Sequence, residues 1–313
     1  MRNIGNFFYW IFNLVFLVSC NQNKSDPSVQ IIKLEYPSAS AIEYHDGKLY
    51  VMGDDAPNMI VVDTGLNVID SIPIVLHTGK RIPKDSKPDL EASAIYSFNN
   101  ETSIFLFGSG SLDPYRNAGW KYRVKSKIKD NIYLEPLYSK IKKSGIEQIN
   151  IEGAAFIADK LVLVNRGNKS YPHNQLIITN EKFWADTGLQ VSIIPFEIQK
   201  DTASFKGISG LTYAKQNDRL ILTVSTEDTR SVYDDGAIGK SYLWIIENIS
   251  GKLNSKIIKP DRIIDPEKID PRFKGQKIES AAIIEETKNS LHLVLVADND
   301  DGSSTFILLH IKL

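Results

Sequence analysis

Cysteine is almost missing from this 313-residue chain. The single Cys20 leaves no intramolecular disulfide to form, so stability has to come from buried apolar surface. Histidine is scarce as well: His45, His77, His173, His292 and His310 stand far apart, in no spacing that binds a metal. His292 and His310 fall inside strand-like runs, where packing explains them. No H-E-x-x-H or G-x-S-x-G signature occurs. Charge of one sign is not in excess, since 37 Lys and Arg against 38 Asp and Glu give a formal net charge of −1. That balance excludes the basic footprint of a nucleic-acid-binding protein. The one small basic cluster, Lys140, Lys142 and Lys143, reads as a solvated loop. Gly236-Ala237-Ile238-Gly239-Lys240-Ser241 lacks the spacing of a phosphate-binding loop. Beyond the first 20 residues no apolar run approaches the length of a membrane span.

The N-terminus is different. Arg2 is the only charge among the first 23 residues, and an apolar run follows over residues 7–18, ending in Leu17-Val18-Ser19-Cys20. A short positive region and about a dozen apolar residues have the proportions of a secretory signal. The final four residues resemble the lipobox of bacterial lipoproteins, which implies cleavage before Cys20 and lipidation of that residue. The expected organisation is a signal peptide over 1–19, a lipidated Cys20 with a polar tether over 20–29, and one domain over 30–313. Acyl chains anchor a protein to a bilayer without spanning it. Asn21 after the cysteine resembles bacterial sorting patterns for the outer membrane, so the expected location is the cell envelope, with a monomer held on a lipid bilayer.

The rest of the chain is repetitive. Five segments share a plan of small residues, a polar turn, an apolar strand and then acidic or glycine-rich residues. Their apolar strands are Leu49-Tyr50-Val51-Met52, Ile104-Phe105-Leu106-Phe107, Leu161-Val162-Leu163-Val164, Leu220-Ile221-Leu222-Thr223-Val224 and Leu291-His292-Leu293-Val294-Leu295-Val296. Aligning Ala41, Ala94, Ala155, Leu211 and Ala282 gives intervals of about 53, 61, 56 and 71 residues. Four-stranded repeats of roughly this length are the signature of a β-propeller. The fold class is therefore all-β, a single propeller with small residues on inner strands beside a central channel. Six blades are favoured and five allowed, because the last interval is long and the stretch from Trp120 to Tyr138 diverges. Closure should bring Thr305-Phe306-Ile307-Leu308-Leu309 beside the N-terminal strand.

Three units place a glutamate at one aligned position, Glu91, Glu152 and Glu279, where the other two have Ser38 and Ile208. Carboxylates at the heads of inner strands would converge on the channel mouth and need a cation, a basic partner or raised pKa values. Asp54-Asp55, Glu227-Asp228 and the run Asp298-Asn299-Asp300-Asp301 follow the second strands of their units, as does Arg166, with Arg116 just beyond another. Asp298, Asp300, Asp301, Glu227 and Asp228 form the oxygen-rich set that suits Ca²⁺. Arg116 and Arg166 are placed to clamp an anion. Residues 225–241 form a long polar excursion of the kind that is often functional.

Taken together, Lys87-Pro88-Asp89-Leu90-Glu91-Ala92, Gly108-Ser109-Gly110-Ser111 with Arg116, Ile151-Glu152-Gly153-Ala154-Ala155, Asn165-Arg166-Gly167-Asn168, Glu227-Asp228 and the 298–301 run resemble one uncharacterised family of bacterial exported β-propellers. The Glu-small repeat is more distantly similar to esterase-like and phytase-like propellers. That resemblance implies a polar channel mouth, Ca²⁺, and phosphoester or ester hydrolysis. Two functions stay open. In one, Glu91, Glu152 and Glu279 act with Ca²⁺ in a hydrolase, helped by Arg116 and Arg166. In the other, the mouth binds a small anionic ligand, a glycan or an envelope protein without catalysis, with Trp120, Trp184 or Trp244 available for stacking.

Overall fold

The structure is a computed structural model that describes residues 29–185, 188–197, 205–227 and 238–313. Cys20, the tether up to residue 28, Asp228 and most of the 225–241 excursion lie outside the described residues.

In chain order the strands are β1 (Val29–Leu34), β2 (Ala39–His45), β3 (Lys48–Gly53), β4 (Asn58–Asp63), β5 (Val68–Pro73), β6 (Leu90–Phe98), β7 (Glu101–Gly108), β8 (Ala118–Arg123), β9 (Ile128–Tyr133), β10 (Ile151–Ile157), β11 (Lys160–Asn165), β12 (Gln175–Asn180), β13 (Ser192–Pro195), β14 (Lys206–Ala214), β15 (Arg219–Glu227), β16 (Ile238–Glu247), β17 (Arg262–Ile264), β18 (Lys277–Glu286), β19 (Ser290–Asp298) and β20 (Ser304–Lys312). They form five four-stranded antiparallel sheets. Four sheets are sequential meanders starting from β2, β6, β10 and β14. The fifth runs β18-β19-β20-β1, so the N-terminal strand completes the last blade. The architecture is a five-bladed β-propeller, closed as the sequence implies.

Six blades, the count favoured above, do not form. The diverged stretch from Trp120 to Tyr138 supplies β8, β9 and the start of helix α1 (Glu135–Lys143), which belong to the second blade and its exit. Leu137, Tyr138 and Ile141 of α1 fill the core between blades 2 and 3. The long last interval holds β16, β17, helix α2 (Ile249–Lys252) and two 3-10 turns.

Each blade is packed on both faces by its neighbours, and this explains its residue pattern. β3 is buried at every position from Leu49 to Gly53, and β11 is likewise buried from Leu161 to Asn165. A strand covered on both faces reads as a continuous apolar run rather than an alternation. The outermost strands β5 and β9 are mostly exposed. The apolar clusters lie at the junctions between blades, for example Ala92, Phe105, Leu137, Ile151, Ala154 and Leu163 between blades 2 and 3.

The inner strands β2, β6, β10, β14 and β18 pack side by side around the channel. All five carry a one-residue bulge at the same level, between Ala39 and Ala41, Leu90 and Ala92, Ile151 and Gly153, Ile208 and Gly210, and Ile278 and Ser280. Small residues beside the bulges let the blades approach. A Cβ on Gly210 would stand 2.4 Å from the backbone oxygen of Glu279 in the next blade. Gly210→Ala is expected to lower stability by about 1–3 kcal/mol through overpacking, read as a lower melting temperature. An unchanged midpoint would mean that the blades can separate locally at no cost.

Candidate functional site

A bulge turns one extra side chain out of the ladder and re-aims it. The five bulged residues are Ser40, Glu91, Glu152, Ser209 and Glu279. The three glutamates picked out by sequence thus occupy one structural position. Their counterparts in the other blades are Ser40 and Ser209, which replace the aligned Ser38 and Ile208. Both serines make the same staple. Ser40 Oγ donates to the Leu90 carbonyl at 2.6 Å, and Ser209 Oγ donates to the Ile278 carbonyl at 2.7 Å. Each of those carbonyls immediately precedes a bulged glutamate of the next blade.

A second tier of polar residues surrounds the ring at the ends of the strands. Asp54, Ser109, Arg166, Ser225 and Asp298 lie beside the ends of β3, β7, β11, β15 and β19. Asp54, Asp89 and Glu91 each offer a carboxylate oxygen within 4.8 Å of the others, the one such acidic triad among the described residues. Lys87 lies against two of the three, making ion pairs with Asp54 and, at 2.8 Å, with Asp89. Arg116 is buried with its Nη1 2.7 Å from Asp89 and 2.7 Å from Ser111 Oγ. Ser109 Oγ also donates to Asp89, at 2.5 Å.

On the far side of the ring Arg166 reaches Glu152 at 3.5 Å and donates to Ser225 Oγ at 3.1 Å, which ties blade 3 to blade 4. Asn150 donates to Glu152 at 2.6 Å. Lys277 pairs with Glu279 at 3.0 Å. Among the described residues the acids of the mouth therefore have basic or amide partners, with one exception. Glu91 makes no hydrogen bond or ion pair with the described residues.

The electrostatics follow from crowding and burial. Burial, with Asp89, Asp54 and Glu152 nearby, pushes the Glu91 carboxyl well above its ordinary value. Burial, Asp89 and Asp55 raise Asp54 to about 6 against the pull of Lys87. Burial works against the Lys87 ammonium, yet Asp89, Asp54 and Glu91 outweigh it and push its pKa up. Asp298 is lifted to about 7, first by burial and then by Asp300, Glu279 and Asp54, which places it at the same mouth.

Not every residue of the expected metal set converges there. Asp298 accepts the backbone N–H of Asp300 at 3.0 Å, closing its own turn. Asp301 points outward to Lys33 at 2.8 Å and accepts from the backbone of Ser303. Lys33 and then Ser303 hold it down at about 2. Asp300 is exposed. Glu227 ends β15 with its side chain outside the described residues, and Asp228 lies outside them altogether. Neither Arg116 nor Arg166 is a bare anion clamp, since both are already engaged with acids.

The acidic triad sits elsewhere than the 298–301 run, and it could hold a metal. Three carboxylates suit a hard cation that takes six to eight oxygens, and Asp54 Oδ1 is buried with no hydrogen-bond partner among the described residues. Yet the Lys87 ammonium lies on two of the three acids. A resident Ca²⁺ would have to displace it, so the residues do not fit such an ion as they stand. Asp54, Lys87 and Asp89 escaped the candidate list drawn from sequence. The available signal was Lys87-Pro88-Asp89-Leu90-Glu91, with three charges at alternate positions running into a strand.

The model of one protein family, a family of unknown function (DUF6929), matches residues 35–311. The chain belongs to that family. None of the curated proteins compared with it matches. Among solved structures, this DUF6929 propeller is similar to glutaminyl cyclase from Myxococcus xanthus, with 10% identity over 91% of this chain and 97% of that one, at a TM-score of 0.48. Virginiamycin B lyase from Staphylococcus aureus is similar at 11% identity over 90% and 99% of the two chains, with a TM-score of 0.42. The β-propeller domain of Cps50 (Swd1) from Myceliophteria thermophila is similar at 7% identity over 88% and 99%, with a TM-score of 0.39.

Proposed function

We propose that this DUF6929 propeller is a lipid-anchored protein of the bacterial cell envelope that binds a hydroxyl-rich ligand, a glycan, at its channel mouth. The observation that carries the binding reading is Glu91. Among the described residues it is the one mouth acid with no hydrogen bond or ion pair, so its carboxyl is open to a ligand hydroxyl. The basic groups of the mouth already face acids, which favours a ligand bearing hydroxyls over a small anion. Calorimetric titration of wild type and Glu91→Ala with glucose, N-acetylglucosamine and maltose tests this. Saturable binding to at least one sugar is expected, weakened roughly tenfold or more in the variant, a loss of about 1.4 kcal/mol. Absence of binding to all three, or equal binding by both proteins, would sink the glycan reading.

A second reading, a Ca²⁺-dependent phosphoester or ester hydrolase, draws on the triad of Asp54, Asp89 and Glu91. Its test is a thermal melt in EDTA and then in excess Ca²⁺. A ligand at 100 times its Kd adds about 2.7 kcal/mol to stability. A rise of several degrees specific to Ca²⁺ would revive the hydrolase, and no rise would remove the metal from it.

Anchoring rests on the Leu17-Val18-Ser19-Cys20 motif. Cells fed a palmitate analogue should label the wild-type chain, and Cys20→Ala should lose the label and leave the membrane fraction. A labelled variant would place the lipid elsewhere.

A further inference from the structure

At the end of the strands opposite the mouth, blades 2 and 3 enclose a crevice of about 360 Å³ lined by Tyr96, Phe98, Lys121, Arg123, Lys182 and Trp184. β6 runs from Glu91 at the mouth to Phe98 in this crevice, so at about 3.3 Å per residue the two sites stand roughly 23 Å apart. Of the three tryptophans considered above for stacking, Trp120 and Trp244 are buried. Trp184 is 37% exposed and Phe98 57% exposed. Tyr96 and Phe98 stack with centroids 6.4 Å apart and planes 12° from parallel. The Tyr96 hydroxyl is fixed by Glu181 at 2.8 Å, so that ring cannot swing away.

The charges at this crevice are unlike those at the mouth. Glu101 is engaged by the backbone N–H of Lys125 at 3.0 Å, and Arg123 pairs with Asp130. Lys121 and Lys182 have no carboxylate partner among the described residues. Lys121 instead lies 5.0 Å from the centre of the Trp184 ring and 5.4 Å from that of Phe105. Burial and the neighbouring Arg123 lower its pKa, and the more distant Asp130 and Glu101 offset this only in part. Exposed aromatic rings beside ammonium groups that form no ion pair among the described residues complement a ligand that is flat or ring-shaped and negatively charged.

We infer that the crevice between blades 2 and 3 is a second binding site, for a ring-bearing carboxylate that stacks on Trp184 and Phe98 and pairs with Lys121. Two sources share that chemistry, an aromatic acid and an acidic sugar. Calorimetric titration of the purified protein with benzoate and with glucuronate distinguishes them, with benzamide and glucose as neutral counterparts. Saturable binding of at least one acid is expected, with its neutral counterpart at least roughly tenfold weaker, since a charge-assisted pair is lost. Lys121→Met should weaken the acid by a similar factor, and Trp184→Ala should abolish binding. Glu91→Ala should leave it unchanged, which separates this site from the mouth. Binding of neither acid, equal binding of a neutral counterpart, or full affinity in Lys121→Met with an unchanged melt would each overturn the assignment.

Discussion

Glu43→Gln should make the protein melt several degrees higher than wild type at pH 8 and leave it nearly unchanged at pH 5. Glu43 lies on the inner strand of blade 1, below the bulge, and its carboxylate accepts a hydrogen bond from Ser93 Oγ of blade 2 at 3.0 Å. Burial raises its pKa from 4.5 to about 8, only partly opposed by Ser93. No base among the described residues is paired with it. A carboxyl whose folded pKa is raised binds its proton more tightly in the folded than in the unfolded state. Its contribution is therefore complete below about pH 4.5 and is lost as the pH climbs through about 8. At 1.36 kcal/mol per unit, the loss at pH 8 is about 4 kcal/mol.

Glutamine keeps the shape and an acceptor for Ser93 and never ionises. A domain of this size moves by about 2–4 °C per kcal/mol, so the gain at pH 8 is readily measured. Asp54, raised to about 6, and Asp298, raised to about 7, titrate within the same window, so wild type should lose stability across it. The variant should still decline, but less steeply. Parallel melting profiles of the two proteins from pH 5 to 8 would refute the placement of Glu43 as an uncompensated buried acid.

Which parts of this molecule the sequence discloses depends on burial. The middle strands, buried on both faces, stand out as apolar runs, and the inner strands stand out through their small residues. The outer strands do not. Val68–Pro73 and Ile128–Tyr133 are largely solvent-facing and carry no apolar pattern, and Arg262–Ile264 is only three residues long. With every fourth strand faint, blade boundaries were unmarked, and helical excursions at 135–143 and 249–273 stretched two intervals enough to suggest a sixth blade.

The registration of the ring failed for a related reason. Placing Ser38 opposite Glu91 is a two-residue slip from Ser40, and a period-two pattern cannot detect a slip of two. Ile208 in place of Ser209 is a slip of one. That is normally flagged by an apolar side chain turning to solvent, but blade 4 is covered on both faces and gives no such flag. Asp54 and Lys87 were invisible as a pair because they are 33 residues apart and only the junction of blades 1 and 2 brings them together. The glutamates were legible because three blades repeat them at one position.

Removing the ammonium at that junction should have the largest effect of any single change at the mouth. The Lys87 side chain is 11% exposed, and the Asp54 and Asp89 it bridges are 17% and 6% exposed. Taking one partner from a buried ion pair leaves an uncompensated charge and costs about 3–5 kcal/mol. Lys87→Met keeps the length of the side chain and most of its apolar contacts, so the lost stability isolates the charge. The midpoint at pH 8 should fall by around 10 °C, using the same 2–4 °C per kcal/mol. The fall should be smaller at pH 5, where Asp54, with a pKa of about 6, takes up a proton.

The same substitution tests what Lys87 stands for. With the ammonium gone, Asp54, Asp89 and Glu91 keep oxygens within 4.8 Å of one another, with only Arg116, on the Asp89 side, left as a cationic partner. Excess Ca²⁺ should then restore several degrees to Lys87→Met while moving wild type little. That would show that the chain fills a site of metal-binding geometry with its own side chain. An equal Ca²⁺ response in both proteins would mean that the ion binds beside Lys87 and the acids are not competed for. A variant that melts with wild type would mean that proton sharing among the three carboxyls, with Arg116 on Asp89, suffices without the ammonium.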